Sequence, residues 1–324
     1  MIPGLIFLII FFSLVLIKSA DMVIVAIRRI SKTTHTGVFT LSVIILALGT
    51  SFPELFVGIT SALENVPSVS LGDITGSNIA NIALIGGLAA FFAGRVRVRG
   101  DYLRHEIWVA LAASVVPLLL LLDGELNRVD GLILLAAYFA NATSFFRSRF
   151  VKIGKEQQEE ETFVYRFMRQ FNHIAAKRRK ELGKLFVGIA LMLFSADSIV
   201  KIAVYLASLA NMPEFVVGVV IIAIGTSLPE LAFSFRSLEE HEPSMFFGNL
   251  LGSTIANSTL VVGVVSLIQP IHLVAVPQYF YAVTAFVVIF LVFWFFIRTK
   301  HRLDRWEAGI LILMYLIFVV VELI

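Results

Sequence analysis

The sequence GTSFPE at residues 49–54 recurs as GTSLPE at residues 225–230, 176 positions later. The same shift aligns residues 47–87 with residues 223–263, and about 19 of these 41 positions are identical. Composition bias does not produce that degree of identity at a single offset. The chain is therefore an internal duplication, and we expect its two halves to share one fold.

The composition excludes a soluble globular protein. Hydrophobic residues make up 58% of the 324 residues, charged residues only 15%, and the mean hydropathy is +0.91. Soluble domains have about 45–50% apolar residues. The chain has no cysteine, which excludes disulfides and thiolate metal sites.

Apolar runs bounded by charge, proline or glycine predict ten membrane spans. All of them are expected to be helices, because a backbone in lipid must satisfy its own hydrogen bonds and the runs are too long for barrel strands. The predicted fold class is an all-α integral membrane protein. The spans are 3–26, 37–63, 69–93, 104–122, 130–147, 184–209, 214–237, 245–268, 273–297 and 306–323.

The distribution of lysine and arginine predicts the orientation in the cell membrane. Basic residues concentrate in alternate loops, at 28–32, 95–104, 147–184 and 298–305. The positive-inside rule assigns these loops to the cytoplasm and both termini to the outside. The connection after the seventh span, residues 236–242, carries three glutamates and one arginine. Ten spans nevertheless require it to be cytoplasmic, and acidic residues weigh little in the rule.

An odd number of spans in each half predicts that the halves cross the membrane in opposite senses. Inverted repeats with interrupted helices at their interface are common among secondary transporters. The predicted organisation is a first five-helix repeat at 1–148, a cytoplasmic linker at 149–183, and a second, inverted five-helix repeat at 184–324. The lipid bilayer is the expected surrounding of both repeats.

The first copy of the motif predicts a broken helix with a buried carboxylate. Pro53 has no amide hydrogen and Gly49 is flexible, so the helix should break and release carbonyls near Ala47 and Thr50. Such carbonyls are tolerated at membrane depth only inside protein or beside a water-filled cavity. Glu54 follows the break, where a charged side chain costs at least about 2.5 kcal/mol and marks a functional site.

The second copy repeats this pattern with Thr226 and Glu230, and inverted symmetry predicts that the two glutamates face each other. Carboxylates, carbonyls and hydroxyls form an all-oxygen site that suits hard cations. Gly72 and Gly76 are spaced for close helix packing. Four further polar residues from spans three and eight join the predicted site: Ser77, Asn81, Ser253 and Asn257.

The paired motifs, each followed by Gly-Ser-x-Ile-Ala-Asn at residues 76–81 and 252–257, resemble the two alpha-repeats of sodium/calcium exchangers. These belong to the cation/calcium antiporter superfamily, and this chain is similar to its compact prokaryotic members. The resemblance implies that calcium binds between Glu54 and Glu230, helped by the carbonyls of Thr50 and Thr226. It also implies that the first and sixth spans form the moving pair.

The resemblance further implies two groups of sodium ligands and no cofactor, with Asn81 and Asn257 flanking the centre. The transported ions would be Ca²⁺ and Na⁺. On one side the sodium ligands would be Ala47, Ser51 and Ser77. On the other side they would be Ala223, Ser227, Ser253 and Thr254.

The sequence departs from well-studied sodium/calcium exchangers at Asn257, where those proteins tend to carry an aspartate. Two glutamates would then be the only ionisable groups of the site, with a charge of −2. We predict a secondary antiporter that exchanges calcium for sodium by alternating access, because the serine hydroxyls and freed carbonyls offer neutral oxygens that sodium needs and protons do not. Calcium/proton exchange through the same glutamates and a cation channel are the alternatives. An enzyme is not expected because no nucleophile–base pair or histidine cluster is present. Neither nucleic acid nor an obligate protein partner is expected.

Overall fold

The structure is a computed structural model. It describes residues 2–32, 51–97, 102–153, 176–239, 241, 243–273, 276–300 and 302–323. The predicted site residues Ala47 and Thr50 and the central part of the predicted linker, 154–175, lie outside the described residues.

The first half consists of helices with two very short strands at their ends. A π-helical segment, Ala80–Ile85, joins α3 to α4 without a break. The elements are α1 (Ile2–Lys32), α2 (Phe52–Leu63), α3 (Pro67–Ile79), α4 (Gly86–Ala93), β1 (Arg95–Arg97), α5 (Tyr102–Leu120), β2 (Glu125–Leu126) and α6 (Arg128–Ile153).

The second half follows the same order. Its π-helical segments are Gly218–Ile222, between α8 and α9, and Ala256–Val261, between α11 and α12. The elements are α7 (Ala176–Ala210), α8 (Glu214–Val217), α9 (Ala223–Thr226), α10 (Leu228–Glu239), α11 (Pro243–Ile255), α12 (Val262–Ile268), β3 (Ile271–His272), α13 (Val276–Lys300), β4 (Arg302–Asp304) and α14 (Arg305–Leu323).

The duplication seen in the sequence extends to the bounds of the elements. Helix α10 begins and ends 176 positions after α2, and α11 begins and ends 176 positions after α3. The π-helical segments 80–85 and 256–261 are related by the same shift. The two halves therefore have matching secondary structure around the motif.

Eight of the predicted spans coincide with segments that are long and apolar enough to cross a membrane. The predicted span 130–147 lies within α6, and the described part of the predicted span 37–63 coincides with α2. Neither helix is among these eight, so the count of ten stays a prediction. The eight segments are Pro3–Val23, Pro67–Ala93, Glu106–Asp123, Gly183–Ala210, Glu214–Glu239, Met245–Ile268, Val276–Thr299 and Arg305–Leu323.

Two antiparallel strand pairs join the halves, and the sequence did not predict them. Strand β1 pairs with β4, so that Arg95 faces Asp304 at 3.2 Å, and β2 pairs with β3. Each strand has only two or three residues, too few for an alternating pattern to be recognised. The pairs bring loops of the first half against loops of the second.

The apolar core divides into two clusters. The smaller one is centred on α1 and α7, which pack along each other with Leu16, Val23, Met192 and Ile199 buried between them. The larger one contains most of the remaining helices. The same cluster also includes Val57, Val69, Val217 and Ile222 from the neighbouring segments, so α1 and α7 pack mainly on each other and in part on the rest of the molecule.

Helix α3 packs very closely against residues 215–223 of the second half. A Cβ atom on Gly72 would overlap the carbonyl oxygen of Phe215, and one on Gly76 would overlap that of Val219. The close packing predicted for these two glycines is confirmed. This contact brings α3 and α9 together at the centre of the molecule.

Candidate cation-binding site

The serine of each motif is not helical, and a helix begins directly after it. Ser51 has φ −87° and ψ 8°, and Ser227 has φ −84° and ψ 3°. The proline of each new helix is in the first turn, where a missing amide hydrogen costs nothing. The break predicted from Pro53 and Pro229 thus occurs at the preceding serine.

This helix start puts each glutamate in the first turn of the new helix. Glu54 and Glu230 are the third residues of α2 and α10. The unpaired amide groups at a helix N-terminus carry partial positive charge and favour a carboxylate there. In the second half the short helix α9 ends at Thr226, and the carbonyl end of a helix carries partial negative charge that favours a cation.

Both glutamates are completely buried, with 0% of their surface exposed. Glu54 lies within electrostatic range of Glu230, as the predicted symmetry requires. The hydroxyl of Ser253 contacts Glu230 Oε1 at 3.5 Å, and the amide of Asn249 approaches the main-chain oxygen of Glu230 at 3.4 Å. The structure therefore brings the two motif carboxylates into one buried region.

Four oxygen atoms from α3 and α9 form a compact cluster beside the glutamates. The Thr226 hydroxyl donates to Asp73 Oδ1 at 2.8 Å and lies 3.2 Å from the Ser77 hydroxyl. Ser77 Oγ is 3.4 Å from Asp73 Oδ1 and 3.5 Å from the carbonyl oxygen of Ala223. Ser77, Ala223 and Thr226 were predicted site residues.

Asp73 is a functional candidate that sequence reasoning missed. It is completely buried and within electrostatic range of Glu54. The prediction that two glutamates are the only ionisable groups of the site is therefore wrong. The signal was present: at the equivalent position the second half has Asn249, so the repeats differ by one carboxylate between two aligned glycines, Gly72/Gly248 and Gly76/Gly252.

The two predicted asparagines lie on the paired π-helical segments. Asn81 and Asn257 are completely buried, and none of their amide atoms has a hydrogen-bond partner among the described residues. The wider turn of a π-helix is frequent at functional sites. The sequence identified the asparagines but not the π-helical turns that carry them.

The remaining predicted site residues differ in what they contact. The Ser51 and Ser227 hydroxyls are buried and have no partner in the described part of the chain. The Thr254 hydroxyl donates to the carbonyl oxygen of Leu250 in its own helix at 2.8 Å. Its hydroxyl hydrogen is thus used within α11, although its oxygen keeps a lone pair.

The donor set is oxygen-rich and only partly anionic. Carboxylates, hydroxyls, side-chain amides and carbonyls suit hard cations such as sodium and calcium rather than soft metals. Within the described residues, no three His, Cys, Asp or Glu side chains are grouped closely enough to hold a metal ion by themselves. A cation here would therefore need the neutral oxygens as well as the carboxylates.

Comparisons with known proteins agree with this description. The family model described as "Sodium/calcium exchanger protein" matches residues 4–147 and 180–324. The chain is 27% identical to the sodium/calcium exchanger MaX1 of Methanosarcina acetivorans, and the match covers 97% of each protein.

Two solved structures share the fold. The sodium-calcium exchanger NCX_Mj matches with a TM-score of 0.61 and 24% identity over 99% of both chains. The H⁺/Ca²⁺ exchanger CAX matches with a TM-score of 0.65 and 16% identity, over 98% of this chain and 86% of that one. The fold is thus that of a membrane cation exchanger, and it occurs with either coupling ion.

Proposed function

The chain belongs to the sodium/calcium exchanger protein family, and we propose that it is a secondary antiporter that exchanges calcium for sodium by alternating access. It is a multi-pass membrane protein of a family named for ion exchange. The proposed substrates are Ca²⁺ and Na⁺, bound at the buried centre described above. Neither a cofactor nor a protein partner enters the proposal.

One observation carries the proposal: the centre holds buried polar atoms without protein partners. Both oxygens of Glu54, the hydroxyls of Ser51 and Ser227, and the amides of Asn81 and Asn257 are in this state within the described residues. The great majority of buried polar groups in proteins have a hydrogen-bond partner, and each exception needs an explanation. A cation that passes through the centre explains all of these exceptions together, since most of the atoms are oxygens.

Calcium is proposed to bind between Glu54 and Glu230. Two carboxylates neutralise one divalent ion in a place where water offers little solvation, and burying an unpaired charge costs several kcal/mol. The carbonyls of Thr50 and Thr226 are proposed to complete this site. Asn81 and Asn257 are proposed to flank it.

Sodium is favoured over protons as the coupling ion because the centre contains neutral oxygens that protons do not need. Ser77, Thr226 and the carbonyl of Ala223 lie within 3.5 Å of one another. Proton coupling would require only carboxylates. The proposed sodium ligands are Ala47, Ser51, Ser77, Ala223, Ser227, Ser253 and Thr254. The resemblance assigns Ser77 and Ala223 to opposite sides, but the Ser77 hydroxyl lies 3.5 Å from the Ala223 carbonyl oxygen, so we propose these two as ligands of the same ion.

The strand pairs support the proposed ten-span, inverted architecture. Strands β1 and β3 are equivalent in the two repeats, yet β3 pairs with β2, and β1 pairs with β4. The 19 residues of α5 separate β1 from β2, which corresponds to about 28 Å at 1.5 Å per residue. Equivalent elements at opposite ends of a membrane helix are what an inverted repeat requires.

The same contacts support the proposed sidedness of the loops. Strands β1 and β4 belong to the two basic loops assigned to the cytoplasm. The acidic connection after α10, which the charge rule left ambiguous, borders the same cavity of about 480 Å³ as Arg95 and Arg97. We accordingly assign it, with the 149–183 linker, to the cytoplasm, and both chain ends to the outside. The repeats are proposed to extend over 1–148 and 184–324.

Helices α1 and α7 are the proposed moving pair. They pack along each other in an apolar cluster distinct from the main one, so the pair would move as one body, exchanging its contacts with Val57, Val69, Val217 and Ile222. The described site residues are at most 2% exposed, so ions would reach them only after such a movement.

Ion gradients across proteoliposomes test the proposal. An opposing sodium gradient should drive ⁴⁵Ca²⁺ uptake at constant pH, and a proton gradient in sodium-free buffer should not. Uptake driven only by the proton gradient would establish the calcium/proton alternative. Calcium flux without any countertransported ion would indicate a channel.

Labelling of introduced cysteines tests the inverted architecture in this cysteine-free chain. Cysteines at Glu125 and Arg302 should react with impermeant maleimide from opposite sides, at Glu125 from outside and at Arg302 from inside. Reaction of both from one side would contradict the inverted repeat while leaving the transport proposal intact.

A further inference from the structure

Asp73 distinguishes the two halves of the centre. It lies on α3 one turn before Ser77, and Asn249 lies at the equivalent position of α11. Asn249 contacts Glu230 through its neutral amide. A residue at this position of the helix can therefore make a structural contact without a charge. Of the described residues, Asp73 is the only aspartate that is completely buried.

The surroundings of Asp73 are polar but uncharged apart from the glutamates. Its Oδ1 atom accepts from Thr226 and lies close to Ser77, and its Oδ2 atom is buried without a partner in the described part of the chain. No ion pair of the described residues includes Asp73. A charged carboxylate in such a place is strongly destabilising, so the group must either bind a proton or have a cation beside it.

The spacing of the four oxygens matches that of ligands around one cation. Ligands at 2.3–2.6 Å from an ion lie about 3.3–3.7 Å apart when their directions are perpendicular. Ser77 Oγ is 3.2 to 3.5 Å from the other three oxygens, and Thr226 Oγ1 is 3.4 Å from the Ala223 carbonyl. The hydrogen-bonded Thr226–Asp73 pair is closer, at 2.8 Å.

We propose that Asp73 binds a monovalent cation together with Ser77, Thr226 and the carbonyl of Ala223. The single negative charge of this carboxylate balances a monovalent cation, and the three neutral oxygens add no charge. A divalent ion is instead balanced by the two glutamates. The proposal rests on sodium/calcium exchange as the function, and it adds a ligand that the resemblance does not supply. The centre then carries three negative charges rather than two, and the third charge lies on the α3 side.

The substitution Asp73→Asn tests the proposal because it keeps the shape and an acceptor for Thr226 but removes the charge. In proteoliposomes, the sodium concentration for half-maximal ⁴⁵Ca²⁺ exchange should rise about tenfold or more, since a charged ligand is lost. Calcium/calcium exchange, for which the proposed ligands are the glutamates and the carbonyls of Thr50 and Thr226, should change less than threefold. The control Asp130→Asn removes an aspartate outside the site and should leave both unchanged.

The possible results of these measurements distinguish the role of Asp73 from the proposed function. Unchanged sodium dependence in Asp73→Asn, with sodium-driven uptake by the unmodified protein, would overturn the role of Asp73 alone. Loss of calcium/calcium exchange in a variant with an unchanged thermal midpoint would assign Asp73 to calcium and also overturn it. Absence of sodium-driven uptake by the unmodified protein would overturn the proposed function, and this inference with it.

If the Asp73→Asn variant does not fold, infrared spectroscopy on the unmodified protein tests whether an aspartate carboxylate responds to sodium. Aspartate labelled with ¹³C at its carboxyl group shifts the aspartate bands away from those of glutamate. The difference spectrum between sodium and choline buffers should contain an isotope-shifted carboxylate band if Asp73 binds sodium. A sodium-dependent spectrum without any isotope-shifted band would overturn the proposal.

Discussion

The two halves of the buried centre have nearly the same sequence but different contacts. On α3, Ser77 lies beside Asp73 and Thr226, whereas its equivalent on α11, Ser253, contacts Glu230. One position further, Asn78 donates to Ser258 of the other half at 2.7 Å, while the equivalent threonine donates within its own helix.

This difference shows which features of a duplicated site are set by the motif and which by single substitutions. The helix breaks and the helix bounds are the same in both halves, because proline and glycine act on the local backbone. The polar contacts differ, since a change such as Asp to Asn alters charge without altering the backbone. We therefore expect the glutamates to be functionally equivalent and the surrounding ligands not to be.

The largest effect is expected at the glutamates. Glu54→Gln or Glu230→Gln should each lower calcium exchange more than about 100-fold, because one carboxylate leaves a buried divalent ion with uncompensated charge. Both variants should fold, as judged by an unchanged elution profile in detergent. Glu64→Gln, at an exposed residue that pairs with Lys201 at 3.4 Å, is the matched control. A robust calcium exchange rate in either glutamate variant would contradict the proposed calcium site.

A smaller effect is expected from the paired serines at the helix breaks. The double variant Ser51→Ala and Ser227→Ala should lower sodium-driven calcium uptake about tenfold, as expected for the loss of buried ligands. It should spare a proton-driven exchanger, whose glutamates remain. Ser61→Ala with Ser237→Ala is the control, since these hydroxyls donate to their own helices. Equal losses in both double variants would show that the effect is not specific to the breaks.

The close packing between the halves should affect stability rather than ion affinity. Gly76→Ala should lower the thermal midpoint in detergent, because its methyl group would overlap the Val219 carbonyl, and overpacking costs roughly 1–3 kcal/mol. Gly4→Ala is the control, with no described atom within 4 Å of the new Cβ. A midpoint equal to that of Gly4→Ala would mean that α3 and α9 are not held together by this contact.

Much of the fold could be predicted from local patterns. Long apolar runs and the 176-residue shift identified eight membrane segments and the repeat, because a lipid surrounding leaves the backbone few alternatives to a helix. The strands β1 to β4 could not be predicted. They are short, and each pairs with a segment of the other half that is more than 140 positions away.

The candidate site was predicted in its motif residues and missed in its neighbours. Glu54 and Glu230 were identified because a carboxylate in an apolar run has few structural roles. Asp73 was missed because an acidic residue near the start of a span has the same appearance as one at a membrane surface. Only the packing of Gly72 and Gly76 against residues 215–223 shows that it is at the centre.

The sequence by itself determined that the protein lies in a membrane, that it is duplicated, and where its helices break. These depend on hydropathy, identity at one offset, and the covalent chemistry of proline, all of which are properties of neighbouring residues. The tertiary structure alone decided which oxygens meet. The contact of Asp73 with Thr226 joins residues 153 positions apart. Helix packing between the halves brings them together, and the local spacing of Gly72 and Gly76 predicts close packing without identifying the partner segment.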